Sequence, residues 1–421
     1  MKFLKKIFRF LLNLVHLIKQ SSPNIQPQTL DDNYVDWYLK YIYSWPGNFN
    51  NQENEPKQKK IKILFLVPWL EVGGADKVNL DLISKLNQDD YEIHLFTTLP
   101  SKHPWYNKFS DHVSNIIHLD QLQKIKSISD FTLNYIAENK IKLIQISNTQ
   151  LGYQLLRTIK KYMPFIKVVD LLHMEEPYYP FDYFRYSKKY HKHIDHRVVI
   201  TEYLKDVLFK KNNVCAEKIT VIPNGIAMGK EYSSLHYVSK NNQRVITVAF
   251  VGRMEEQKQP LLFIEIAREI IKQSANAKFV MIGEGSLLSK VNSLISSLDL
   301  VEYIKVHDAK TNVMDFLEKE VHILLAPSIR EGLPVIGLEA MSLGIPIVAT
   351  DVPGWSDLIV HNETGFISNK DDLAYYCKLL IDDKFLREKF SRKAYKLAFE
   401  RYNLDKTVEK YKEIYINQLK N

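Results

Sequence analysis

The sequence contains little cysteine and no evident cluster of metal ligands. Cys215 and Cys377 are the only 2 cysteines in 421 residues, and they stand far apart without a partner pattern. Such spacing provides neither a disulfide framework nor a thiolate metal site. No Asp-x-Asp element is present, so we expect no metal ion. These absences are typical of a chain in a reducing cytoplasm.

The sequence also lacks a strong excess of charge. Lysine and arginine number 57 against 49 aspartates and glutamates, for a net charge of +8. This balance suits phosphate-bearing small molecules or an acidic membrane surface, but not a nucleic-acid binder with its concentrated positive charge. Apolar residues make up 45% and charged residues 25% of the chain, an ordinary globular composition. The length exceeds what one hydrophobic core usually organises, so we expect two domains.

Residues 1–20 lack both the long apolar stretch of a spanning helix and the cleavage site of a secretory signal. Their polar residues recur at spacings of three and four, which predicts an amphipathic helix with a basic stripe of Lys2, Lys5, Lys6 and Arg9. This helix either docks on its own protein or contacts a membrane peripherally, and a cleaved signal is the third alternative. Residues 21–60 read as an irregular extension.

From Ile61 onward, short apolar runs alternate with amphipathic stretches, which predicts parallel sheets with helices on both faces. The alternation stops at Pro223-Asn224-Gly225 and restarts at Val245, after a polar linker. We therefore predict an α/β chain with two Rossmann-like, doubly wound domains facing across a cleft. The predicted parts are an extension at 1–60, a first domain at 61–225, a second domain at 244–400, and a C-terminal helix at 401–421 that packs back on the first domain.

The predicted strands fix where ligands should bind, because ligands of doubly wound sheets lie beyond the carboxyl ends of the strands. The predicted strands of both domains are 63–67, 93–97, 143–146, 168–171, 198–200, 221–222, 245–251, 279–282, 304–307, 323–326 and 345–349.

The segment after the strand at 323–326 holds a predicted phosphate site. Pro334 suits the first turn of a helix, which would leave the N–H groups of Gly332 and Leu333 at a positive helix end. Glu339 is the only charge in the apolar segment that follows. A carboxylate in such surroundings needs a hydrogen-bond partner, and either a ribose diol or a nearby backbone N–H would serve.

Two other strand ends of the second domain carry glycine. At the first, Gly252 permits close backbone approach, while Arg253 and Lys258 could reach a diphosphate. The alternative is that both cations pair with neighbouring glutamates at the surface. At the second, Gly283-Glu284-Gly285 forms a turn against which a nucleotide could lie, although the third glycine of the dinucleotide fingerprint is missing.

The first domain offers two further candidates. Gly73-Gly74 stands between a strand and a helix, as a phosphate loop or a simple tight turn. His173 follows a strand, with Glu175 and Glu176 close behind, and should face the cleft between the domains. The alternative for a lone histidine is a structural role.

Taken together, these elements resemble the signature of glycosyltransferase family 4, the retaining GT-B enzymes. The resemblance covers about residues 61–415. It rests on Glu331 with Glu339, Gly252-Arg253 with Lys258, Gly283-Glu284-Gly285, Pro223-Asn224-Gly225 and the Gly73-Gly74 loop. The sequence departs from the family pattern at Gln259-Pro260, where glycine is frequent, at Asp76, where glutamate is common, and in the N-terminal extension.

The resemblance implies roles for the second domain in a metal-independent, retaining sugar transfer. Arg253 and Lys258 would hold the donor diphosphate, and Glu339 would hold the ribose. Glu331 and the backbone of Gly332-Leu333 would contact the donor sugar.

The resemblance also implies roles for the first domain, in which the backbone of Gly74 would contact the phosphate and His173 the sugar. No cofactor is implied beyond the donor substrate, a UDP- or GDP-linked sugar. The acceptor would be a glycan or a lipid-linked glycan at the inner face of the plasma membrane, in bacterial cell-surface polysaccharide synthesis.

Two other functions remain compatible with the same fold. A nucleotide-sugar epimerase would need acid and base groups around the sugar and no acceptor groove. A catalytically silent partner subunit would not need both Arg253 and Lys258, so their presence argues against it. An NAD enzyme is disfavoured because no complete glycine fingerprint followed by an acid is present.

Overall fold

The structure is a computed structural model of the chain. It describes residues 60–86, 90–122, 128–175, 182–211, 213–228, 243–273, 276–308 and 311–420. The predicted amphipathic helix and the extension up to residue 59 lie outside the described residues, as does Glu176.

The first domain is built on a parallel sheet of 7 strands in the order β3-β2-β1-β4-β5-β6-β7. One of its inner strands, Ile61–Val67, reads Ile-Lys-Ile-Leu-Phe-Leu-Val and is mostly buried, as expected for a parallel strand covered on both faces. The strands are β1 (Ile61–Val67), β2 (Tyr91–Thr97), β3 (Asn115–His118), β4 (Leu143–Ser147), β5 (Lys167–Leu172), β6 (His196–Val199) and β7 (Ile219–Val221).

Helices connect these strands and cover both faces of the sheet. Thr149 shows how the local sequence sets a helix start, since its hydroxyl accepts a hydrogen bond from the N–H of Gly152. The helices are α1 (Gly74–Leu86), α2 (Tyr106–Ser110), α3 (Ile128–Glu138), α4 (Gln150–Tyr162), α5 (Tyr183–Lys189) and α6 (Glu202–Asp206).

The second domain has a parallel sheet of 6 strands in the order β10-β9-β8-β11-β12-β13. Its strands are β8 (Ile246–Val251), β9 (Ala277–Ile282), β10 (Ile304–His307), β11 (Ile323–Ala326), β12 (Ile347–Thr350) and β13 (Gly365–Ser368). Its helices are α7 (Pro260–Ile271), α8 (Leu288–Ser297), α9 (Val313–Glu320), α10 (Val335–Ser342), α11 (Pro353–Leu358), α12 (Leu373–Asp382) and α13 (Lys384–Arg401).

The last helix, α14 (Leu404–Lys420), lies on the first domain. The hydroxyl of Tyr415 donates to the Oε1 atom of Gln145 in β4 at 3.0 Å, and its ring packs edge-on against Tyr91. One hydrophobic core includes buried residues of the first sheet, α10 and α14, and a second core fills the other face of the second sheet. The chain therefore crosses back to tie the two domains together.

In each sheet the strand order reverses at one point, where two strands that are not consecutive in the sequence lie side by side. In the first sheet this point lies between β1 and β4, and in the second between β8 and β11. Loops that leave such a pair of strands diverge to opposite faces and open a crevice, where ligands of this fold bind. The loops after these four strands carry most of the residues singled out in the sequence.

Candidate active site

Lys258 and Glu331 form an ion pair at the point where the strand order of the second sheet reverses. Lys258 follows β8, and Glu331 follows β11. The Nζ atom of Lys258 lies 2.6 Å from the Oε1 atom of Glu331, and both side chains are largely shielded from water. The surface pairing of Lys258 with its sequence neighbours is therefore not seen.

Arg253 extends from the same loop but is exposed to solvent. Within the described residues its guanidinium makes one long hydrogen bond, from Nη2 to the Oε1 atom of Gln257 at 3.4 Å. The amide of Gln257 donates to the carbonyl oxygen of Arg330 at 3.1 Å and contacts the sulfur of Met174 in the first domain at 3.9 Å. Arg253 thus has an accessible guanidinium at the edge of the cleft, and Gln257 bridges the loop to both domains.

Gly283 and Gly285 owe their identity to close packing between two loops. A Cβ on Gly283 would lie 2.0 Å from the carbonyl oxygen of Gly252, and one on Gly285 would lie 2.6 Å from that of Met254. Both residues also have positive φ, at +146° and +153°. This turn therefore supports the loop that carries Arg253 and Lys258.

The start of α10 faces the start of α1 across the cleft. Pro334 is the residue before the first helical position, one place earlier than the sequence analysis expects. A Cβ added to Gly74, the first residue of α1, would lie 3.5 Å from Val335 Cγ2. Two positive helix ends therefore face each other, and Ile336 at the start of α10 lines one cavity with Lys258, an arrangement that suits a diphosphate.

The loop before α10 also touches the first domain directly. A Cβ added to Gly332 would lie 2.1 Å from the carbonyl oxygen of His173, so only glycine permits this approach. The amide of Asn224 donates to the carbonyl oxygen of Leu333 at 3.2 Å. In the described residues, the N–H groups of Gly332 and Leu333 have no hydrogen-bond partner. Their binding of an anion stays a prediction.

Glu339 lies on the buried side of α10, at 9% exposure. Its side chain makes no hydrogen bond within the described parts of the chain, so the capping alternative is not seen. Burial raises its pKa to about 7, while Lys77 and Asp81 of α1 act on it in opposite directions from the other domain. The carboxyl group therefore has no hydrogen-bond partner among the described residues, and its contact with a ribose stays a prediction.

His173 lies just after β5 in the first domain and is likewise buried. Burial lowers the pKa of its imidazole to about 4, so the ring is neutral at pH 7. Its Nε2 atom lies 3.1 Å from the hydroxyl of Ser147. The main-chain oxygen of His173 borders the second domain through the Gly332 contact, and a contact of the ring with a sugar stays a prediction.

The chain matches two family models in succession. The model described as "Glycosyltransferase Family 4" matches residues 72–229, and the one described as "Glycosyl transferases group 1" matches residues 234–397. Together they cover both sheets except for β1. The chain belongs to glycosyltransferase family 4.

Two curated members of this group share about half of the chain. The UDP-Gal:alpha-D-GlcNAc-diphosphoundecaprenol alpha-1,3-galactosyltransferase of Escherichia coli is 28% identical over 231 residues, 52% of this chain and 59% of that enzyme. The capsular polysaccharide biosynthesis glycosyltransferase CapM of Staphylococcus aureus is 27% identical over 238 residues, 53% of this chain and 62% of that protein. Each match therefore spans about three fifths of the relative.

Solved structures of the same fold cover more of the chain. Alr3699/HepE of Anabaena, crystallised with UDP and glucose, superimposes with a TM-score of 0.70 at 18% identity, over 84% of this chain and 99% of that one. At this identity the likeness establishes the fold. The prediction of a GT-B architecture is confirmed, and among the described residues no helix has the length and apolarity needed to cross a bilayer.

Some residues of this glycosyltransferase cleft were not found by sequence reasoning. Gln257, Lys77 and the Asn79–Ser147 pair beside His173 all contribute to it. Ser147 could have been found, since it ends β4 at the carboxyl edge of the sheet. Lys77 and Asn79 look like ordinary helix residues, and nothing in their spacing signals the cleft.

The raised pKa of Glu339 predicts a pH-dependent stability difference that needs no ligand. Its folded pKa of about 7 lies above the ordinary 4.5, so the stability it contributes is present below pH 4.5 and is lost as pH rises to 7. We expect Glu339→Gln to melt at increasingly higher temperature than wild type over this window, a gain of about 3 kcal/mol at most. Calorimetry of both proteins from pH 4.5 to 8 tests this. A difference in melting temperature between the two proteins that stays constant with pH would show that the carboxylate is solvated.

Proposed function

We propose that this protein is a retaining glycosyltransferase. It would transfer a sugar from a UDP- or GDP-linked donor to a glycan or lipid-linked acceptor, in bacterial cell-surface polysaccharide synthesis. The observation that carries the proposal is the convergence of two helix starts, Lys258 and Arg253 on one crevice. This arrangement favours a diphosphate leaving group.

In this proposal the catalytic power comes from stabilising the departing nucleotide. Negative charge develops on the diphosphate as the sugar leaves, and Arg253 and Lys258 would offset it together with the N–H groups of Gly332 and Leu333. Glu331, released from Lys258, would accept hydrogen bonds from the sugar, and His173 would contact the sugar from the other side. Closure of the cleft would bring acceptor and donor together.

A panel of nucleotide sugars tests the donor class. We expect one UDP- or GDP-linked sugar to raise the melting temperature, because a ligand that binds only the folded protein stabilises it. ADP-linked sugars serve as the comparison. The anomeric configuration of the product, read by NMR, then tests retention. A panel with no stabilising donor contradicts the assignment, and an inverted product contradicts the retaining mechanism alone.

We expect transfer to survive an excess of EDTA. Within the described residues, no group of three or more His, Cys, Asp or Glu side chains could hold a metal ion, and the candidate diphosphate site is already cationic. Initial rates with and without EDTA should agree. Loss of activity that manganese or magnesium restores would argue for a metal-dependent reaction instead.

Peripheral membrane contact through residues 1–20 belongs to the same proposal. Apolar burial together with about 1 kcal/mol for each basic residue near an anionic surface would make the attachment reversible and salt-sensitive. We expect the full chain to co-sediment with anionic liposomes at low salt, and a chain that lacks residues 1–20 to stay in solution. If the full chain failed to co-sediment at low salt, docking on the protein itself would remain as the role of this segment.

A further inference from the structure

The ring of His173 ends a buried polar chain in the first domain. The hydroxyl of Ser147, at the end of β4, lies 3.1 Å from His173 Nε2. The amide of Asn79, on α1, donates from Nδ2 to the same hydroxyl oxygen at 3.2 Å. Ser147 is fully buried and Asn79 nearly so. These two side chains therefore decide which nitrogen of the ring carries the proton.

The donor and acceptor in each of these hydrogen bonds follow from the single hydrogen of the serine hydroxyl. The oxygen of Ser147 can accept two hydrogen bonds, but its hydroxyl has only one hydrogen to donate. The oxygen accepts from Asn79, and among the described residues His173 Nε2 is the only acceptor within reach of that hydrogen, so the fully buried hydroxyl is satisfied by donating to Nε2. A ring nitrogen that accepts a hydrogen bond carries no proton, so the neutral ring is protonated at Nδ1. In the described part of the chain, Nδ1 makes no hydrogen bond of its own.

If Nε2 carried the proton, the buried hydroxyl hydrogen of Ser147 would have no acceptor unless the amide of Asn79 were turned around. As the structure stands, the Oδ1 atom of Asn79 is the buried group without a partner. Turning the amide would leave its two N–H groups unpartnered instead, and buried N–H donors without partners are rarer than under-satisfied carbonyl oxygens. The observed orientation, and with it the Nδ1–H form of His173, is therefore favoured.

We propose that Ser147 and Asn79 are positioning residues that hold His173 in its Nδ1–H tautomer, so that the ring offers an N–H donor to a sugar hydroxyl. The tautomer itself depends only on the first domain. The use of the N–H group rests on the proposed function, because it requires a sugar in the cleft.

Nitrogen-15 NMR of histidine-labelled, full-length, ligand-free protein at pH 7 tests the tautomer, with His173→Gln to assign the signal. We expect the wild-type ring to carry its proton on Nδ1. In Asn79→Asp the new carboxylate can only accept, so it would take the hydrogen of Ser147, and the serine oxygen would accept from Nε2–H. The tautomer should therefore invert. Ser147→Ala removes the link and should give a mixture of both forms.

The matched control is Thr98→Val, which removes another buried hydroxyl pair near the strand ends, Thr98 with Thr149 at 2.6 Å. It should leave the tautomer of His173 unchanged. With a donor in hand, we expect Asn79→Asp to lower kcat/KM about tenfold and Thr98→Val less than twofold. An Nε2–H ring in the wild type, or no inversion in Asn79→Asp, would overturn the proposal. Because the NMR needs no sugar, a failed donor panel would contradict the proposed function and leave this result standing.

Discussion

Lys258→Met is expected to lower kcat/KM by about 10²- to 10³-fold. The ammonium group lies where the strand order of the second sheet reverses, close to the facing helix starts. There it would offset the negative charge of the departing diphosphate. Methionine keeps an unbranched side chain, one atom shorter, and removes the ammonium group with its charge and its hydrogen-bond donors. Initial-rate kinetics with the donor found by the nucleotide-sugar panel would measure the loss.

A double variant separates this role from structural damage. In the wild type the buried carboxylate of Glu331 lies 2.6 Å from the ammonium of Lys258. Lys258→Met alone leaves this carboxylate without its partner, and we expect it to destabilise the fold by about 1–3 kcal/mol. Adding Glu331→Gln should restore the melting temperature without restoring transfer. If the double variant recovered both, Lys258 would be a structural partner of Glu331 rather than a donor ligand.

The sequence predicts the centre of each sheet better than its edges. The inner strands are mostly apolar runs, because both faces are covered, and their predicted positions fall within one or two residues of those observed. The two strands that were missed, β3 and β13, are edge strands in the described sheets. Each has only 4 residues, and β3 is only partly buried along its length. Half-exposed edges carry too weak a pattern to stand out from loops.

For the site, sequence could name residues but not their partners. Lys258 and Glu331 lie 73 positions apart, and their pairing depends on β8 and β11 being neighbours although two strands separate them in the sequence. The contact of Gly332 with His173 depends in turn on how the two domains close. Both facts belong to the tertiary arrangement, which local periodicity does not encode.

Gly332→Ala is expected to lower kcat/KM about 100-fold while each domain keeps its fold. The added Cβ would lie 2.1 Å from the main-chain oxygen of His173, an atom that no side-chain rotation can move away. The domains would have to part by an ångström or more. A displacement of that size between reacting groups is enough for a loss of this order.

Gly365→Ala is the matched control, because its added Cβ would make a clash of similar size inside one domain. A Cβ on Gly365 would lie 2.3 Å from the carbonyl oxygen of Ile347, between two strands of the second sheet. Gly365→Ala should therefore lower the melting temperature, whereas Gly332→Ala should leave it nearly unchanged and instead enlarge the protein in small-angle X-ray scattering. Because the clash acts on closure and not on the sheets, Gly332→Ala should still bind the donor nucleotide. Wild-type turnover in Gly332→Ala would mean that transfer takes place in a more open cleft than the one described.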